Sequence, residues 1–168
     1  MSEDVKVNHV LEHGTIHFLK EQHGKRKRIG GSALTDGFRI HGKVTPEDIS
    51  QAFGKFREAL RNKSKEIAIS DFCGSRIPAL QGFSLVLLIL TVAAFGVFEL
   101  DQISILTILL INLAVFFISK RFLSRWFQKK YTLSFDFKEA EIISINKVIK
   151  KKIFENSPVY FVKTRIVH

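Results

Sequence analysis

The sequence predicts an α+β membrane protein: a two-helix transmembrane hairpin with a small cytoplasmic α+β layer. Three observations predict it. Two long runs in the middle of the chain carry no charge. The charges crowd the two ends instead, so a chain that is 25% charged keeps a mean hydropathy of +0.10. Short apolar stretches of helical and strand period fill the flanking segments. The expected organisation is an N-terminal cytoplasmic α+β region over 1–76, a hairpin over 77–127 and a β-rich cytoplasmic region over 128–168.

The hairpin comes first in the argument because it sets the topology. Gly82 to Phe98 and Ile103 to Ile118 contain no charged residue. Each is close to the ~17-residue lower limit of a spanning helix and can borrow apolar flanks. Spans are therefore expected at about 82–98 and 103–119. Only Glu99, Leu100, Asp101 and Gln102 separate them, which forces antiparallel neighbours. Two buried helices of a soluble core, or a re-entrant hairpin, are the alternatives. Arg76 precedes the first run, and Lys120, Arg121, Arg125, Lys129 and Lys130 follow the second, while the turn is acidic. The positive-inside rule then puts both termini in the cytoplasm, with the hairpin in the inner membrane. Asn112 is the one strongly polar residue inside a run, available for a bond across the hairpin or to another subunit. No ionisable group lies in either run, so a proton or ion pathway finds no support.

The N-terminal region begins with a helix from about Val5 to Glu21. A hairpin follows, Arg28 to Leu34 and Phe38 to His41, turning at Thr35-Asp36-Gly37. Thr45 and Pro46 start a second helix as N-cap and first helical residue, with Ile49, Ala52, Phe53, Phe56 and Leu60 on one face. Glu66 to Ser70 reads as a strand. After the hairpin, Tyr131 to Phe137, Ile142 to Ile149 and Val159 to Val167 read as a meander that can join the N-terminal sheet. The acidic, polar N-terminus has no apolar signal-peptide core.

The net charge of +10 raises nucleic acid as a partner. Anionic lipid headgroups account for it better, because no aromatic-interleaved basic motif of the RNA-binding kind is present. The single cysteine, Cys73, excludes an intrachain disulfide and suits a reducing compartment.

Chemistry concentrates on the first helix. His9, His13 and His17 are four residues apart, and each step of four drifts only ~40° around the helix. Two histidines at i and i+4 can hold one metal ion. His9-x-x-Glu12-His13 also has the inverted-zincin form, in which the glutamate is general base to a metal-activated water. Zinc, or iron, needs a further protein ligand, and the Cys73 thiolate is the candidate. The bland reading is that these histidines cap, hydrogen-bond or face headgroups.

Leu11-Glu12-His13-Gly14-Thr15-Ile16-His17-Phe18-Leu19 resembles the L-E-H-A-T-I-H-V-L motif of an uncharacterised family of small two-span membrane proteins of cyanobacteria and other bacteria. Gly31-Ser32 through Gly42 resembles its next segment, and Asp71-Phe72-Cys73-Gly74-Ser75 its N-C-G-T motif. The family often has a histidine near position 70, where this chain has Ser70, and His9 lies outside the shared core. The resemblance thus points to His13, His17 and Cys73 as metal ligands with Glu12 as base or supporting partner, and His9 as the weaker choice. It implies no reaction. A metal-dependent hydrolase and a non-enzymatic scaffold or assembly factor, binding a partner membrane protein or a second copy of itself, both remain open.

Overall fold

The computed structural model describes residues 1–24, 28–62, 65–69, 76–97, 102–148 and 157–167. It divides into two compact units, one of Met1–Ser70 with Thr132–His168 and one of Asp71–Tyr131.

In the first unit, α1 (Glu3–His23) carries Glu3 and Asp4 in its first turn and Lys20 and His23 in its last, each matched to the helix dipole. Its middle is buried on most sides, polar residues included: Asn8, Glu12, His13 and Thr15 as well as Val7, Val10, Leu11 and Leu19. A surface helix would hide one stripe only, so α1 is the central element. β1 (Gly30–Leu34) and β2 (Gly37–His41) form the expected hairpin. Gly37 has φ +155°, and the Val162 carbonyl oxygen occupies the place a Cβ would take, so no other residue fits this turn. α2 (Pro46–Arg61) opens with a complete capping box. The Thr45 hydroxyl accepts from the Asp48 amide at 3.2 Å, and the Asp48 carboxylate accepts from the Thr45 amide at 2.9 Å. That amide bond holds the Asp48 carboxyl below its usual range, with His23 at 3.1 Å adding to the effect. Ile49, Ala52, Phe53 and Phe56 are buried and Leu60 packs against them, as the spacing requires.

The tail completes the sheet. β3 (Glu139–Val148) and β4 (Val159–Val167) are antiparallel, and β4 also pairs with β2, Phe38 opposite Val162 and Ile40 opposite Tyr160. The order β1-β2-β4-β3 therefore joins segments from both ends of the chain. A bulge between Ile142 and Ser144 interrupts the β3 edge, a device that discourages further strand pairing.

Two expected strands are not formed. Glu66 to Ser70 was expected as a strand, but Lys65–Ala68 is a 3-10 turn closed by the Ile69 amide on the Glu66 carbonyl at 3.0 Å. Its Ala68 carbonyl is taken by His13 instead of a neighbouring strand. Tyr131 to Phe137 was also expected as a strand. Gln128–Thr132 instead forms a π-helical turn, and 133–137 joins no strand ladder. Alternation is still present, because Leu133 is buried and Phe135 and Phe137 pack on the core. Burial set that pattern, and strand pairing did not follow from it.

The second unit is an antiparallel helix pair, α3 (Arg76–Val97) and α4 (Gln102–Phe127). Phe83 stacks on Phe116 with ring centres 6.4 Å apart, and Asn112 donates to the Thr91 hydroxyl at 2.6 Å. The Thr91 hydroxyl in turn donates to the Leu87 carbonyl at 2.8 Å. The lone amide of the apolar runs is thus satisfied across the hairpin. Residues 98–101, which hold most of the expected turn, lie outside the described residues. Among the described residues no single helix is long and apolar enough to cross a membrane. A bent pair, Leu106–Ser119 with Phe122–Thr132 at 50°, has the length and composition, and Leu80–Ala93 is a shorter apolar helix.

Gly14 is where α1 meets α2. A Cβ there would stand 2.2 Å from the Phe56 ring. Gly14→Ala is expected to cost about 1–3 kcal/mol by overpacking, with part recovered by adding Phe56→Leu. Gly54→Ala, in open space on α2, is expected to stabilise by up to ~1 kcal/mol. Denaturant midpoints of the three variants check the set.

Candidate metal centre

One turn of α1 brings His9, Glu12 and His13 together. Each offers one ligand atom, and these atoms lie within 4.8 Å of one another. The i, i+3, i+4 spacing places them on one face. The His9 and His13 rings meet edge to face, centres 4.4 Å apart.

The surrounding backbone fixes both rings. His13 Nδ1 lies 2.7 Å from the Ala68 carbonyl and His9 Nδ1 lies 3.0 Å from the Thr132 carbonyl. A carbonyl only accepts, so both Nδ1 atoms carry the proton. In each neutral ring the lone pair is then on Nε2. Metal-bound histidines are held in this way, with the second nitrogen donating to a carbonyl or carboxylate that sets ring and tautomer. His9 Nε2 stands 3.8 Å from Glu12 Oε2. That is too long for a hydrogen bond. It is close to the ~3.4 Å edge between two ligands of a tetrahedral zinc with bonds near 2.0–2.1 Å.

Glu12 is 4% exposed and His13 6%. Burial pushes the Glu12 carboxyl up to about 7, and the charge of a protonated His9 opposes that rise. Gly31 in β1 explains how a carboxylate fits under the sheet: a Cβ at Gly31 would meet Glu12 Oε1 at 2.7 Å and the Arg39 carbonyl oxygen at 2.4 Å. The glycine-serine start of this strand leaves the space that Glu12 fills.

The expected ligand set is only partly assembled. His13 is in the group, and Glu12 stands among the ligands. His9, the weaker choice, is a full member. His17 is not: its side chain is 44% exposed and pairs with Glu21 at 3.2 Å. Two steps of four carry it about 80° round from His9, onto the outer side of the helix. Cys73 lies outside the described residues. The Ala68 and Thr132 carbonyls had no sequence signal, since every residue carries that group. Asn8 was also missed. Its amide donates to the Leu34 and Thr35 carbonyls at 2.9 and 3.1 Å and accepts from the Thr164 hydroxyl at 2.6 Å.

Fold and site together define an α+β protein with a helical hairpin unit and a His-Glu-His group whose Glu12 and His13 are buried. The chain belongs to the DUF6391 family, described as a domain of unknown function, whose family model matches residues 4–145. This agrees with the resemblance to an uncharacterised family. No curated protein and no solved structure matches the chain.

The raised Glu12 pKa makes a stability prediction for the metal-free protein. The folded state holds this proton up to about pH 7, against 4.5 for the ordinary carboxyl. Between those values the native state binds more protons than the unfolded one, so stability falls as pH rises. The full loss is roughly 3 kcal/mol, at 1.36 kcal/mol per unit. Glu12→Gln should remove this slope and be the more stable form at pH 8. Denaturant unfolding in the presence of chelator at pH 5 and pH 8 checks it.

Proposed function

We propose that this chain is a membrane-anchored metal-binding protein. In this reading the hairpin over 77–127 inserts in the inner membrane and one zinc ion, with iron as the alternative, is held by His9, Glu12 and His13. The observation that carries the metal site is the convergence of His9, Glu12 and His13, each offering one ligand atom within 4.8 Å of the others, with both histidine rings oriented by Nδ1–carbonyl bonds. Three such ligands suit zinc, which takes nitrogen and oxygen donors in tetrahedral sites.

The hairpin supports the membrane part. Leu85, Leu88, Ile89, Leu90 and Val92 of α3 and Leu106, Leu110, Ile111, Phe117 and Ile118 of α4 are all more than half exposed. Exposed aliphatic patches of this kind on a helix pair are costly in water and ordinary against lipid. At the end of α4, Lys130 Nζ lies 5.2 Å from the Trp126 ring and 5.6 Å from the Tyr131 ring, an amphipathic group suited to the headgroup level. Both termini would then be cytoplasmic.

The depth of the site favours a structural role over hydrolysis. Glu12 and His13 are almost fully enclosed, which leaves little approach for a substrate. Both histidines instead hold backbone on either side of the hairpin in sequence, Ala68 before it and Thr132 after it. A metal ion there would fasten the two connections, as a scaffold that presents a hairpin to a partner membrane protein or to a second copy requires.

Purified without a histidine tag, the protein is expected to hold about one metal ion per chain by elemental analysis. His9→Ala and His13→Ala should each lose it, while His17→Ala keeps it. Full metal retention by both His9→Ala and His13→Ala would remove the proposal. Cys73→Ala decides whether the thiolate joins the set. Resistance of the chain to alkaline carbonate extraction from membranes checks the anchor separately.

A further inference from the structure

A groove between α2 and the start of β3 has no part in the metal site. Its volume is about 230 Å³. Phe135 and Phe137 supply its apolar wall, and Arg57, Arg61, Lys138 and Glu139 its polar one. Arg57 and Arg61, one turn apart on α2, both reach the same oxygen, Glu139 Oε1, at 3.4 and 3.1 Å. The carboxylate sets the two guanidinium groups side by side. A guanidinium has five N–H donors, so one bond each to Glu139 leaves most of that fork for another acceptor. Three cations against one carboxylate leave the groove with an excess of two positive charges.

We propose that this groove binds the headgroup of an acidic phospholipid, the phosphate on the arginine fork and Lys138, the glycerol and upper acyl carbons on Phe135 and Phe137. The proposal rests on the membrane reading of the hairpin. The phosphate chemistry follows from the planar, paired donors, which fit a phosphate oxygen pair better than a lone ammonium does. The apolar wall distinguishes a lipid from free phosphate, which has no use for two phenyl rings.

The test uses the full chain. Flotation on neutral phosphatidylcholine vesicles examines the membrane reading alone, and a chain that stays at the bottom of the gradient overturns that reading. Lipid selection is then measured in nanodiscs of phosphatidylcholine with a minor share of phosphatidylglycerol, by native mass spectrometry of the lipids retained. The wild type should retain phosphatidylglycerol well above its share. Lys138→Gln keeps both arginine–Glu139 pairs and should weaken retention about fivefold. Arg57→Gln with Arg61→Gln should bring it to the bulk share. Lys55→Gln and Lys163→Gln, outside the groove, should leave it unchanged. Wild-type retention by both Lys138→Gln and the double arginine variant overturns the proposal. So does equal weakening by every lysine change, or binding of inorganic phosphate without selection for phosphatidylglycerol.

Discussion

The buried polar stripe of α1 is the constraint around which the first unit is organised. Asn8, Glu12 and His13 are nearly or fully enclosed, and a buried polar group without a partner costs several kcal/mol. Asn8 and His13 are satisfied by groups far away in sequence. Asn8 ties α1 to the β1–β2 turn and to β4, and His13 ties it to Ala68. His9, at the rim, adds Thr132. One helix thereby collects four separate pieces of chain. The apolar contacts of Val7, Val10, Leu11 and Leu19 supply the bulk of the burial, but they do not choose among nearby arrangements as these directed bonds do.

Glu12 is different, because its environment does not fully compensate its charge. Its raised pKa reflects desolvation, and Gly31 gives it space without giving it a donor side chain. A fold that keeps an acid in such a place commonly has a use for it. Two imidazoles oriented by carbonyls are what a buried carboxylate needs to share a cation. The same geometry places the group between the chain segments that lead to and from the helical hairpin.

Much of the secondary structure was legible because its signals are local. Asp36-Gly37 marked the β-hairpin, Thr45-Pro46-Glu47-Asp48 marked the start of α2, and Val159 to Val167 read as the strand it is. The failures share a cause. Glu66 to Ser70 and Tyr131 to Phe137 have strand-like apolar spacing, yet a strand needs a neighbour with open backbone groups. Ala68 gives its carbonyl to His13, and the run after Thr132 packs Leu133, Phe135 and Phe137 on the core without joining the sheet. The histidine stripe forms the helical array its spacing predicts, and the structure brings His9, Glu12 and His13 together while His17 pairs with Glu21. His13 and His17 look equivalent to His9 and His13 in one dimension, and only the packing of β1 and the 3-10 turn against α1 distinguishes them.

The sequence by itself determined the α+β class, the helical period of the His-rich segment and the segregation of charge from the two apolar runs. These depend on residue type and on contacts a few positions apart. Tertiary structure decided which histidines face inward, that Glu12 is buried beside them beneath Gly31, and that the strands of the tail close onto β2. Those outcomes depend on backbone carbonyls, and every residue carries the same carbonyl. Its availability is set by which segments of chain lie against one another, and no local pattern encodes that.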